Sequence, residues 1–219
     1  MEAEEYEVMA RVEQTHPWFV NRRRLIRRVV QRYASHLHRP RLLDAGSGTG
    51  VNLADYTELG GAFGIEFDRR AAFISVRRGY ERITVGDLCT LPFRDASFDL
   101  VISTAVIAHI EDDFAALAEM RRVLAPAGRV IITTPAYSWA YTSHDQHLHH
   151  VRRYDCVRLR AAIHQAGLKI VHSSRYNVLL AVPLVFVRWL GDRWLRDRDC
   201  GSDVGRSVPR LAAPVLDLL

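Results

Sequence analysis

The run Leu42-Leu43-Asp44-Ala45-Gly46-Ser47-Gly48-Thr49-Gly50 carries a short apolar strand into three glycines at alternate positions. Consecutive apolar residues ahead of an acid read as a strand buried on both faces, the kind found inside a parallel sheet. Alternate glycines let the chain turn tightly and leave bare main chain at the start of the following helix, where free N–H groups favour an anionic group. Glycines also make ordinary tight turns, but the strand-loop-helix context favours a nucleotide-type ligand. The dinucleotide fingerprint needs glycine or alanine at its last place, which here falls on Val51, so NAD is disfavoured.

Outward from this loop, short apolar runs ending in a small or acidic residue alternate with helical stretches, the signature of β-α-β units. The spacing predicts strands over 41–44, 62–66, 82–85, 100–103, 130–134 and 170–174, with helices over 50–59, 69–77, 112–123 and 157–166. Asp155 is a candidate N-cap for the last helix and Gly167 its stop. Upstream, 2–13 and 21–37 read as helices. In the second, Leu25, Ile26, Val29, Val30 and Tyr33 form one apolar stripe, with Arg22, Arg23, Arg27, Arg28 and Arg32 elsewhere. The fold class is therefore α/β, a doubly wound and mostly parallel sheet with an N-terminal helical cap. The expected units are the cap (1–38), a catalytic α/β domain (39–176) and a helical C-terminal extension (177–219). No seventh strand is evident after 170–174, so the apolar run 178–190 is expected to act as a cover, a dimer contact or a lipid-facing surface.

Composition bounds the rest. At 219 residues with 48% hydrophobic and 25% charged side chains, the chain can bury one sizeable core, which excludes disorder and fibre. The apolar run 178–187 is ten residues long and holds Pro183, too short to span a bilayer. Three cysteines, Cys89, Cys156 and Cys200, form no C-x-x-C pair and fit free thiols in a reducing compartment. The opening MEAEEYEVMA is acidic where an export signal is basic and then apolar, and the expected location is the cytoplasm. Of 30 basic residues only Lys169 is lysine, which fits a coding bias. The net charge of +5 reads as a solvated surface in preference to a nucleic-acid footprint.

The loop D-x-G-x-G-x-G resembles the S-adenosylmethionine (SAM) loop of class I methyltransferases, whose sheet is Rossmann-like. The likeness continues along the chain. Glu66 ends the second strand where the family has an acid that accepts both ribose hydroxyls, and Gly86-Asp87-Leu88 follows the third, where an acid meets the adenine amino group. Leu91-Pro92-Phe93 with Ser97-Phe98-Asp99-Leu100-Val101 resembles the run into the fourth strand. Glu119 to Leu124 with Pro126 and Gly128 resembles the E-x-x-R-V-L-x-P-G-G segment, with Ala127 in place of the first glycine. The resemblance implies SAM as cofactor, held by Asp44, Gly46, Ser47, Gly48, Gly50, Glu66, Phe67, Asp87, Leu88 and Thr104.

For the acceptor side, His109 matches a histidine common in the family, either as a base or packed over the cofactor. The segment 134–145 brings three aromatics and the pair His144-Asp145 together in sequence. An aspartate beside a histidine holds its tautomer if the side chains meet. This segment, Arg152-Arg153-Tyr154 and His16-Pro17-Trp18-Phe19 resemble a bacterial subgroup that acts on small molecules. That implies His144, His109 and Asp145 as catalytic residues and Trp18, Tyr137 and Trp139 as acceptor walls. Four histidines within seven residues rarely converge tetrahedrally, so no metal is expected. The expected partner is a small-molecule substrate, with no nucleic acid; a homodimer and a membrane-surface contact are lesser expectations. An RNA or protein methyltransferase, a lipid-surface enzyme and a non-catalytic SAM-binding module remain as alternatives.

Overall fold

A computed structural model of the chain describes residues 3–176. The apolar runs form one five-stranded sheet in the order β3-β2-β1-β4-β5. Its strands are β1 (Arg41–Ala45), β2 (Gly61–Glu66), β3 (Ile83–Val85), β4 (Phe98–Thr104) and β5 (Leu124–Thr133), and every pairing is parallel. From β1 the chain steps outward to β2 and β3, then crosses back to β4 on the other side of β1. The carboxyl ends of β1 and β4 therefore flank the point where the winding reverses, and open α/β sheets bind ligands at that crevice.

The helices are α1 (Ala3–Val12), α2 (Pro17–Ala34), α3 (Leu53–Thr57), α4 (Arg69–Arg77), α5 (Asp113–Val123), α6 (Ser143–His147) and α7 (Cys156–Gln165). Successive residues of a strand face opposite sides of its sheet. Leu42 accordingly packs with Ile26, Val30 and Ala34 of α2 and with Tyr56, while Leu43 packs with Leu117, Met120 and Val123 of α5. Both leucines are fully buried, which is why the strand reads as an unbroken apolar run. The sheet is doubly wound, as the alternating pattern implied.

Several elements differ from the sequence reading. Helix α2 starts at Pro17, four residues early, because proline at the first helical position gives up an N–H that would be unpaired there anyway. Helix α3 is confined to Leu53–Thr57, since the glycine loop still occupies 50–52. Strand β5 starts at Leu124 and reaches its later pairing through an irregularity between Phe98 and Leu100. Ala127, standing where the family has glycine, takes φ 64 in that stretch. The strand expected over 170–174 does not form: α7 ends at Gln165, Gly167 turns the chain away with φ 74, and residues 170–174 join no strand, with Val171 exposed. A short apolar run becomes a strand only when it finds a partner edge, and 170–174 does not meet β5. The expected C-terminal extension lies outside the described residues.

The E-x-x-R segment proves to be a staple. Arg122 donates to Glu119, to Asp95 and to the carbonyls of Leu91 and Phe93, fastening the loop ahead of β4 to α5.

Candidate functional site

Gly46, Gly48 and Gly50 all adopt left-handed backbone, with φ of 85, 55 and 80. That conformation is costly for other residues and explains the alternate spacing. A Cβ on Gly46 would stand 2.4 Å from a methyl of Val106, so only glycine lets the loop after β1 abut the turn after β4. The Gly46 and Ser47 amides donate to the Ile65 carbonyl at 2.9 and 3.0 Å, and the Gly48 amide donates to Glu66 Oε2 at 2.8 Å. Glu66 Oε1 accepts from the Asp68 amide at 3.0 Å. Each carboxylate oxygen carries more than one lone pair, so Glu66 keeps acceptor capacity for further hydroxyls.

Beneath the loop, Asp44 is fully buried, and neither carboxylate oxygen finds a partner among the described residues. The Ser47 hydroxyl is likewise buried and unpaired. Burial, and then the charge of Glu66, push the Asp44 carboxyl well above the usual carboxylate range; burial also raises Glu66, against the pull of its amide donors. Two acids with spare acceptor capacity and, among the described residues, no ion pair suit a ligand that brings N–H and O–H donors and positive charge. SAM, with its ammonium, sulfonium and ribose hydroxyls, fits this set.

A prediction follows from the sign of the Asp44 shift. A carboxyl that holds its proton more tightly folded than unfolded costs stability as pH rises above its unfolded value, about 3.9. Asp44→Asn should therefore melt higher than wild type at pH 7 without ligand, by a few degrees at roughly 2–4 °C per kcal/mol. The gap should shrink toward pH 4, and SAM should bind the variant less tightly. Equal melting at both pH values would contradict the buried-acid account.

The other expected cofactor residues are placed unevenly. Phe67 is 76% exposed beside Glu66. Thr104 is half-buried at the carboxyl end of β4. Asp87 is exposed, and its Oδ1 accepts from the Cys89 amide at 2.8 Å, capping the turn after β3. Leu88 lies in the core.

Two residues that sequence reasoning missed latch the N-terminus to the loop. Glu13 is buried and accepts from the Thr49 hydroxyl and from Arg78. Arg78 also donates to the Thr49 carbonyl at 2.9 Å and the Ala10 carbonyl at 2.8 Å. Glu13 and Arg78 are 65 residues apart, and no local pattern joins them.

Of the residues expected to face an acceptor, His109 closes a single helical turn, Ile107–His109, that follows β4. His109 is half-buried, and burial together with the neighbouring His150 lowers it to about 4, so the ring is neutral at ordinary pH. In the loop after β5, Tyr137 takes φ 66 and its ring lies 5.7 Å from that of Trp139. Trp18 sits in the first turn of α2 and, among the described residues, makes no ring contact with that pair. The pair His144-Asp145 lies in the short helix α6, with His144 half-buried. Asp145 is completely buried, and the histidine it holds is not its sequence neighbour. Asp145 Oδ1 accepts from His150 Nδ1 and from Arg153 Nε, both at 2.8 Å, and Oδ2 accepts from the Thr142 amide at 2.9 Å. A buried aspartate at the third position of a turn was the available signal, but the length of that turn was not legible. Asp155 takes the expected N-cap place, yet its carboxylate accepts from the Ser138 amide and hydroxyl and ties α7 to the aromatic loop.

Residues 43–132 match a family model described as "Methyltransferase domain". A "Probable S-adenosylmethionine-dependent methyltransferase" of Mycolicibacterium smegmatis is 31% identical over 149 residues, covering 65% of this chain and 57% of that protein. The "Probable tRNA methyltransferase 9B" of Mus musculus is 39% identical over 100 residues, 44% of this chain and 21% of that protein. Both relatives thus extend well beyond the stretch they share with this chain. The crystal structure of the YcgJ protein from Bacillus subtilis superposes with a TM-score of 0.62 at 18% identity, covering 84% of this chain and 86% of that one, which shows a shared fold.

Proposed function

From the match of residues 43–132 to a methyltransferase family model, we propose that this chain is a class I SAM-dependent methyltransferase and transfers a methyl group from SAM to a small-molecule acceptor with an aromatic or enolic face. The observation that carries the cofactor half is Asp44, a buried acid without a partner, under a glycine loop that Glu66 braces. When bound, SAM supplies a sulfonium methyl carbon whose positive charge is lost on transfer. The residues of this chain supply position, alignment and exclusion of water. Alignment of that kind accounts for roughly 7–11 kcal/mol of a barrier.

In this reading Asp44, Ser47 and the bare peptides of Gly46, Gly48 and Gly50 receive the amino-acid end, and Glu66 the sugar. Phe67, Asp87, Leu88 and Thr104 border the base and the methionine chain. Tyr137 and Trp139 offer flat apolar faces to an acceptor, and aromatic faces also suit a sulfonium cation. Trp18, on the first turn of the helix that follows the Glu13 latch, is the candidate third wall. A nucleic-acid acceptor is less well served. Arg23 and Arg27 of α2 are spent on Asp55 and Glu58, which leaves less of the helix's charge for phosphates.

The test is a thermal shift with SAM, S-adenosylhomocysteine and NADH side by side. Both adenosyl compounds should stabilise the protein, by about 2.7 kcal/mol at a hundred times the dissociation constant; NADH should not. Glu66→Ala should abolish the shift. A wild-type protein indifferent to SAM would end the assignment.

A further inference from the structure

We propose that His150, held by Asp145, is the general base that takes the proton from the methyl acceptor, which makes that acceptor a hydroxyl compound of the phenol or enol class. The proposal rests on the methyl-transfer reading above and adds the base and the chemistry of the accepting atom.

The tautomer follows from the geometry. His150 Nδ1 lies 2.8 Å from Asp145 Oδ1. An ionised carboxylate only accepts, so Nδ1 carries the hydrogen and Nε2 is left with its lone pair. Arg153 Nε on the same oxygen and the Thr142 amide on the other keep Asp145 ionised, and its carboxyl lies far below the usual range. The carboxylate also compensates the imidazolium that forms when Nε2 takes a proton, as in an aspartate-histidine pair of hydrolytic enzymes.

The place is the ligand-binding edge of the sheet. The amides of Val151 and Arg152, next along from His150, donate to the Ala108 carbonyl, at 2.8 and 3.4 Å. Ala108 belongs to the turn after β4, whose Val106 abuts Gly46. The His150 ring lies 4.5 Å from the His109 ring in the same turn. From the other side Arg153 donates to the Ala136 carbonyl, next to Tyr137, at 3.3 Å, so the dyad and the aromatic loop form one braced unit.

Two imidazoles in ring contact resist carrying two charges, so a proton taken here belongs to one of them. Among the described residues His150 meets Asp145 from α6, shares its Oδ1 with Arg153 of its own loop, and lies beside His109 of the turn after β4. His109 is held neutral by burial and by the neighbouring His150 ring. His109 is then the companion that accepts or donates a hydrogen bond without competing for the proton. In the step itself the acceptor O–H bond breaks and its proton moves to Nε2. The freed electron pair on oxygen forms the O–CH3 bond, the electrons of the breaking C–S bond stay on sulfur, and the imidazolium returns its proton to solvent.

Full-length, nitrogen-15-labelled protein tests this without an acceptor. Long-range proton-nitrogen spectra, with His150→Gln to assign the ring, should show neutral His150 as the Nδ1–H tautomer, and Asp145→Asn should shift it toward Nε2–H. In parallel, methyl transfer from radiolabelled SAM to catechol, hydroquinone and 1-naphthol should fall by about 10²–10⁴-fold in His150→Gln. Calorimetric SAM affinity of that variant should stay within about twofold of wild type, and residual transfer should recover as pH rises and the acceptor ionises on its own. An Nε2–H tautomer in wild type, or transfer by His150→Gln at close to the wild-type rate, overturns the proposal while SAM uptake stands. Absence of SAM uptake by wild type overturns the methyl-transfer reading and this proposal with it.

Discussion

Asp145→Ala should lower the stability of the folded protein by about 3–5 kcal/mol, the range for removing one partner of a buried ion pair. Asp145 has no exposed surface and satisfies three donors: the Thr142 amide at the start of α6, the His150 ring and Arg153. The side chains of His150 and Arg153 are only 8% and 11% exposed, so neither can turn to water when the carboxylate is gone. Leaving a guanidinium buried without its counter-ion costs far more than the pair itself contributes, which places this effect above that of any surface ion pair. At roughly 2–4 °C per kcal/mol the loss is plain in a melting curve. The pH dependence has a definite sign. The folded carboxyl lies below its unfolded value, so its contribution is present above about pH 4 and is lost as pH falls further. The gap between the two proteins should therefore narrow under acid. A constant gap from pH 7 to pH 3 would show that packing, and not charge, holds the site.

The second large effect is expected from Arg78→Ala, again about 3–5 kcal/mol. Without the guanidinium, Glu13 keeps among the described residues a single hydroxyl donor, and the Ala10 and Thr49 carbonyls lose the Arg78 donor. Glu13 is 4% exposed, so its charge stays desolvated. The damage should appear first in α1, as faster amide exchange and earlier proteolytic cutting between residues 3 and 16. SAM affinity should fall as well, because Thr49 belongs to the glycine loop. Arg27→Ala is the control: its side chain is 35% exposed, Glu58 is exposed and the buried Asp55 keeps Arg23, so the loss should be smaller, about 1 kcal/mol. If both arginine variants lose the same small amount, the latch does not hold the N-terminus.

Much of this was legible one residue at a time, where local chemistry decides the outcome. The glycines at 46, 48 and 50 announced a left-handed loop because few other residues tolerate it. The apolar pairs of β1 and β4 announced burial on both faces because a central parallel strand has no polar side. What the chain could not disclose locally were contacts whose partners lie far off in sequence. Glu13 reads as one more acid in an acidic helix until Arg78 reaches it. Asp145 reads as the companion of His144 until a five-residue helix swings the chain round and delivers His150. The failed strand at 170–174 belongs to the same class, since pairing, not composition, makes a strand.

Loop and turn meet at Gly46 and Val106 without slack: two methyl groups fill the volume that a side chain at position 46 would need. Packed protein transmits strain and does not absorb it. The glycine loop and the turn that carries His109 are therefore geared together, and under the proposed function a ligand seated on one should shift the other. The bulk of one valine gauges how closely the two can approach.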